Sequence, residues 1–97
     1  MNNSKIKKKV LRLKKNKKTI GLCHGVFDLL HNGHLLHFEA AKKKCDYLFV
    51  SITSDEHVDK GPNRPIHNNN ERVHLLQSLK FVDNAFIAKG KSAIESI

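Results

Sequence analysis

Residues 25–34 read GVFDLLHNGH, which sets a glycine, an aspartate and two imidazoles close together. His31 and His34 are three positions apart, with Gly33 between them. Imidazole N–H groups and main-chain amides bind the oxygens of a phosphoryl group, and bind them more strongly as negative charge builds during attack on phosphorus. Gly25 lets the backbone turn sharply and expose its amides. Gly33 takes a side chain away from the start of the following helix, where Asn32 is the expected N-cap. Unpaired N–H groups and the positive end of the helix dipole already favour an anion there. The stretch therefore reads as a phosphate site with His31 and His34 as donors. A metal pair and a purely structural pair of loop histidines are the alternatives. Neither an HExxH pattern nor a suitable cysteine spacing supports zinc.

Such a site needs elements to hold it. TIGLCHG, residues 19–25, is a short apolar run ended by glycine and reads as a buried strand. GHLLHFEAAKKK, residues 33–44, has helical spacing and ends in lysines. DYLFVSIT, residues 46–53, is rich in aromatic and β-branched residues and reads as a second strand. SDEHVDK suggests a single helical turn, and GPNRPIHNN a loop. NERVHLLQSLKF, residues 70–81, reads as a helix with Val73, Leu76 and Leu79 facing inward; NAFIAK reads as a third strand, and SAIESI as the start of another helix. Alternating strands and helices give an α/β fold with a parallel sheet, and nearly continuous apolar strands fit a sheet covered on both faces. The phosphate site then falls at the carboxyl end of the first strand, where open α/β sheets bind ligands.

With 97 residues the chain has room for one small domain. Its net charge of +9 is uneven: nine of the eighteen basic residues precede Thr19, and no acidic residue precedes Asp28. The basic character belongs to residues 1–18, while residues 19–97 are balanced. Residues 4–16 read as an amphipathic helix, with Ser4 a cap and Ile6, Val10, Leu11 and Leu13 roughly on one face. A basic module that binds nucleic acid through this arm is the competing function, and the lack of interleaved aromatics counts against it. Cys23 and Cys45 fit no disulfide framework or zinc spacing and are expected to be reduced thiols. The longest apolar run is too short to cross a bilayer, and the first residues do not form a secretory signal, so a cytoplasmic protein is expected.

The segment GVFDLLHNGHLLHFEAAKKKCDYLFVSITSDEHVDKGPNRPI, with NNERVHLLQSLKFVDNAFI after it, resembles the cytidylyltransferase-like nucleotidyltransferase family. The likeness is greatest to the sugar-phosphate adenylyltransferase domain of ADP-heptose synthesis, followed by glycerol-3-phosphate cytidylyltransferase. The resemblance implies a Rossmann-like sheet and transfer of AMP or CMP from ATP or CTP to a phosphorylated small molecule, with Mg²⁺ assisting and pyrophosphate released. It implies that Val26 and Phe27 offer backbone contacts to the nucleotide phosphates. His31 and His34 would stabilise the transition state, and Asp28 would fix the loop. Lys60 would grip a phosphate, and Arg72 of the "ER" pair would face the same pocket. Without the resemblance, Lys60 reads as a loop lysine and Arg72 as one half of a surface ion pair with Glu71 or Asp83. Members of the family continue with a further strand and a Ser/Thr-rich loop that contacts the triphosphate. Residues 19–97 are thus expected to form a C-terminally truncated version of the domain, which leaves a nucleotide-binding remnant without catalysis as an alternative. Exposed strand edges invite pairing with another copy, so a homodimer is expected.

Overall fold

The computed structural model describes residues 3–58 and 66–88. The elements run α1 (Asn3–Lys15), β1 (Ile20–Gly25), α2 (Asn32–Lys42), β2 (Tyr47–Thr53), a 3₁₀ turn (Asp55–His57), α3 (Asn69–Gln77) and β3 (Asn84–Ala88). The three strands are all parallel, in the order β1-β2-β3, with Ile20 opposite Tyr47 and Phe49 opposite Asn84. This is a Rossmann-like α/β arrangement, as the alternation of elements requires. The expected helix at SAIESI lies outside the described residues.

Side-chain alternation along the strands divides the core in two. On one face Leu48, Val50, Ile52 and Ala85 pack against Phe38 of α2 and Leu76 of α3. On the other face Phe49 and Phe86, with Ile20, Leu22 and Tyr47 at the margin, pack against Ile6, Val10 and Leu13 of α1. Residues 6, 10 and 13 follow the i, i+4, i+7 rule of a helix face. Leu11, expected with them, is 68% exposed, because it lies more than a quarter-turn off that stripe. The basic N-terminal segment is thus a structural layer of the domain; its lysines turn outward except Lys9, whose ammonium donates to the Asn84 side chain and lies over the Tyr47 and Phe49 rings.

The ends of the elements are chemically defined. α1 begins at Asn3, so Ser4 sits inside its first turn instead of capping it. It ends in a Schellman turn, in which the Lys18 N–H donates to the Leu13 carbonyl and the Lys17 N–H to that of Lys14, with Lys17 left-handed at φ 60°. α3 opens on a capping box between Asn68 and Glu71. It stops at Gln77, short of the expected Phe81, where the Ser78 hydroxyl donates back to the His74 carbonyl. The Gln77 side chain then donates to the Asp83 carbonyl and accepts from the Ala85 N–H, satisfying backbone groups at β3. Lys42 reaches the Asp83 carboxylate and the Asp46 carbonyl, both at 2.7 Å, and joins the end of α2 to the starts of β2 and β3.

Asp46 accepts from the Thr19 N–H at 2.8 Å and the Thr19 hydroxyl at 3.1 Å. Those bonds, the main-chain one foremost, hold its carboxyl below the usual range. A lowered folded-state pKa contributes stability that is complete above the unfolded value of about 4 and is lost as pH falls through the folded value. Asp46→Asn is expected to flatten this part of the acid limb, measured as urea midpoints between about pH 2 and 6.

Candidate functional site at the carboxyl rim of the sheet

The carboxyl ends of β1 and β2, the β1–α2 loop, the 3₁₀ turn and the start of α3 meet at one rim. The loop changes direction at Phe27, whose φ of 49° is left-handed. For a bulky residue this is uncommon backbone and costs roughly 1–3 kcal/mol, held in place by what surrounds it. Gly25, expected to make the turn, instead closes β1 and makes room. A Cβ there would lie 2.8 Å from the Phe27 ring. That ring packs edge-on against Phe38 at 5.3 Å and His34 at 5.5 Å between centroids. The Phe27 N–H has no hydrogen-bond partner among the described residues.

The two histidines build the start of α2 themselves. His31, not Asn32, is the N-cap: its Nδ1 accepts from the Gly33 N–H at 3.0 Å. In return the Nδ1 of His34 accepts from the His31 N–H at 3.1 Å. This is a capping box in which imidazoles replace the usual hydroxyl and carboxylate. The rings stack at 4.0 Å between centroids with a 35° tilt. A neutral imidazole that accepts through Nδ1 carries its proton on Nε2, so both rings are fixed as Nε2–H donors. Gly33 is required by this packing, since a Cβ there would lie 2.7 Å from Cε1 of His31. Gly33→Ala is expected to push the His31 ring off the cap and cost about 1 kcal/mol of stability. Denaturant unfolding checks this, together with the loss of the stacked-ring signature in the histidine proton spectrum.

Asp28 is buried, and its carboxylate accepts from the Ile66 N–H at 2.7 Å and the His67 N–H at 2.8 Å. It fastens the β1–α2 loop to the segment before α3. Arg72 is fully buried and is not a surface residue. Its guanidinium donates to Asp55 at 2.6 Å, to the Asn69 side chain at 3.0 Å and to the Val26 carbonyl at 2.9 Å. Neither Glu71 nor Asp83 is its partner: Asp83 pairs with Lys42, and the Glu71 carboxylate closes the α3 capping box. Asp55 and Asn69 also exchange bonds, each side chain accepting from the other's N–H at 2.8 and 3.1 Å. Nothing in the sequence near Asp55 or Asn69 singled them out, because their role exists only once β2 and α3 are side by side. Lys60 lies outside the described residues.

Two further features narrow the chemistry. Among the described residues no group of three His, Cys, Asp or Glu side chains could hold a metal ion, and Asp28 and Asp55 are engaged by protein donors. Cys23 lies 3.7 Å from Nε2 of His37, but burial, followed by the nearby Cys45, pushes its thiol up. A raised pKa leaves little thiolate, so this pair is not an activated nucleophile. Both cysteines are unpaired thiols, as expected. No helix among the described residues is long and apolar enough to cross a membrane.

The rim thus offers main-chain amides and two Nε2–H imidazoles, a donor set for phosphate oxygens. The chain is 41% identical over 76 residues to the bifunctional protein HldE of Campylobacter fetus, covering 76% of this chain and 17% of that protein. It is 38% identical over 85 residues to HldE of Haemophilus influenzae, covering 86% of this chain and 18% of that one. The chain therefore spans about one-sixth of these relatives' length. Among solved structures, the lipopolysaccharide core biosynthesis protein of Thermoplasma volcanium superposes with a TM-score of 0.72 at 30% identity, over 81% of this chain and 65% of that one. The sequence profile of the cytidylyltransferase-like family matches residues 22–95, and the chain belongs to that family.

Proposed function

We propose that the rim transfers a nucleotidyl group from ATP or CTP to a phosphorylated small molecule, a sugar phosphate. A phosphate oxygen of the acceptor attacks the α-phosphorus of the nucleotide. A new P–O bond forms, the bond to the β-phosphate oxygen breaks, and pyrophosphate leaves. Phosphoryl-type transfer asks the protein for position and for donors aimed at the developing charge, with no protein nucleophile required. The observation that carries the reading is the paired-histidine cap. The two rings, 4.0 Å apart between centroids and each with its proton on Nε2, form with the Phe27 amide a donor set suited to phosphate oxygens. Mg²⁺ would arrive bound to the nucleotide's phosphates, because the described residues form no cage for it. Lys60, placed after β2 in the sequence, would supply a cation to the same phosphates.

The packing of α1 bears on the nucleic-acid alternative. Its apolar face covers the sheet, so the lysines belong to a docked helix and not to a loose arm. Pyrophosphate release from ATP and from CTP, measured with and without a panel of sugar phosphates, tests the proposal. Acceptor-dependent release is the expected result. Nucleotide binding with no release in the presence of any acceptor would favour a remnant that binds without catalysis.

A further inference from the structure

A buried arginine that touches no solvent cannot itself grip a substrate phosphate, yet Arg72 is braced into the rim from three sides. Its one bond to the β1–α2 loop goes to the Val26 carbonyl. In a trans peptide the carbonyl and the following N–H point in opposite directions. Drawing the Val26 carbonyl towards α3 therefore turns the Phe27 N–H away from α3. That amide has no partner among the described residues, and it belongs to a residue with left-handed backbone. The second brace, from Asp28 to the Ile66 and His67 amides, holds the same loop against the same segment. Asp55 and Asn69 fix the guanidinium plane, and each is tied to the other's backbone.

We propose that Arg72 is a positioning residue: held by Asp55 and Asn69, it pulls the Val26 carbonyl inward and so aims the Phe27 N–H at the phosphate bound beside His31 and His34. The inference rests on the anion-binding reading given above. It assigns to Arg72 an action through the main chain, where a direct grip on phosphate was expected. It also gives Asp55 and Asn69 a part in binding although neither touches the ligand.

The test uses the full chain labelled with ¹⁵N and inorganic pyrophosphate as the probe. In the unaltered protein, residual dipolar couplings should place the Phe27 N–H vector pointing away from α3, and the Phe27 amide should shift saturably with pyrophosphate. In Arg72→Lys and Asp55→Asn the vector should reorient, the Phe27 response should vanish, and pyrophosphate should bind about tenfold or more weakly, a loss expected for one charge-assisted bond. The His31 and His34 signals should still respond, because their cap is separate. Leu76→Val, a core change on the same helix, controls for destabilisation and should leave vector and affinity unchanged. Variants that bind as tightly as the unaltered chain with an unmoved Phe27 vector would overturn the proposal. So would an N–H vector directed at α3 in the unaltered protein, a measurement that needs no variant to fold. If the unaltered chain does not bind pyrophosphate, the anion reading fails, and the aiming at phosphate fails with it. The dipolar couplings then decide separately whether Arg72 orients the peptide.

Discussion

His34→Ala is expected to lower acceptor-dependent pyrophosphate release by roughly 10²–10³-fold, the usual cost of removing one donor from a site where charge develops. The change removes two things together. It deletes an Nε2–H donor, and it leaves the His31 N–H without the Nδ1 that accepts from it. His31→Ala should cost a similar factor, with the Gly33 N–H losing its partner. Because each ring orients the other, the double variant is expected to be little worse than either single one, as for groups that act as a unit. His34→Asn separates the parts: an amide oxygen can still accept from the His31 N–H but presents no imidazole donor, so it should restore stability and not rate. The readouts are kcat for release and the urea midpoint. A His34→Ala variant at full rate would remove the imidazoles from the mechanism.

Deleting residues 1–18 is expected to abolish cooperative folding. Ile6, Val10 and Leu13 are the cover for Phe49 and Phe86, which would otherwise lie open to water. Each large apolar side chain left uncovered forfeits about 1.5–3 kcal/mol, and a domain of this size has only about 5–15 kcal/mol in total. Val10→Asp places a charge in the same layer and should unfold the chain almost as completely. By contrast, Lys7→Gln and Lys15→Gln on the exposed side should each change stability by less than about 0.5 kcal/mol. Thermal unfolding followed by circular dichroism checks all four variants. If the deleted chain retains a sharp transition, the helix is an appendage after all.

Period and composition made most of the architecture legible. The strands at Ile20–Gly25, Tyr47–Thr53 and Asn84–Ala88 stand where the apolar runs placed them, and the 3₁₀ turn falls within SDEHVDK. Local rules failed where tertiary contact decided the outcome. α3 stops at Gln77 although LKF continues the apolar pattern, because Leu79 and Phe81 leave the helix to pack against the core. Asn32 has the better intrinsic record as a cap, but the Gly33 N–H is taken by His31, whose ring fits only because residue 33 lacks a Cβ. The spacing of an imidazole, two residues and a second imidazole is that of a capping box with both side chains exchanged, and this was the available signal. Arg72 could not be placed from its neighbours in sequence. Two of its three partners, Asp55 and Val26, lie seventeen and forty-six positions away, and burial with an ion partner is rare enough for arginine that surface exposure is the default.

The two-sided core also orders events during synthesis. Helix α1 is made before the strands it covers, but its covering face rests on Phe49 of β2 and Phe86 of β3. Each strand reaches its neighbour only after a crossover helix has been made, so no hairpin can seed the sheet. That helix must therefore wait, lysine-coated and unanchored, until β3 has been laid down.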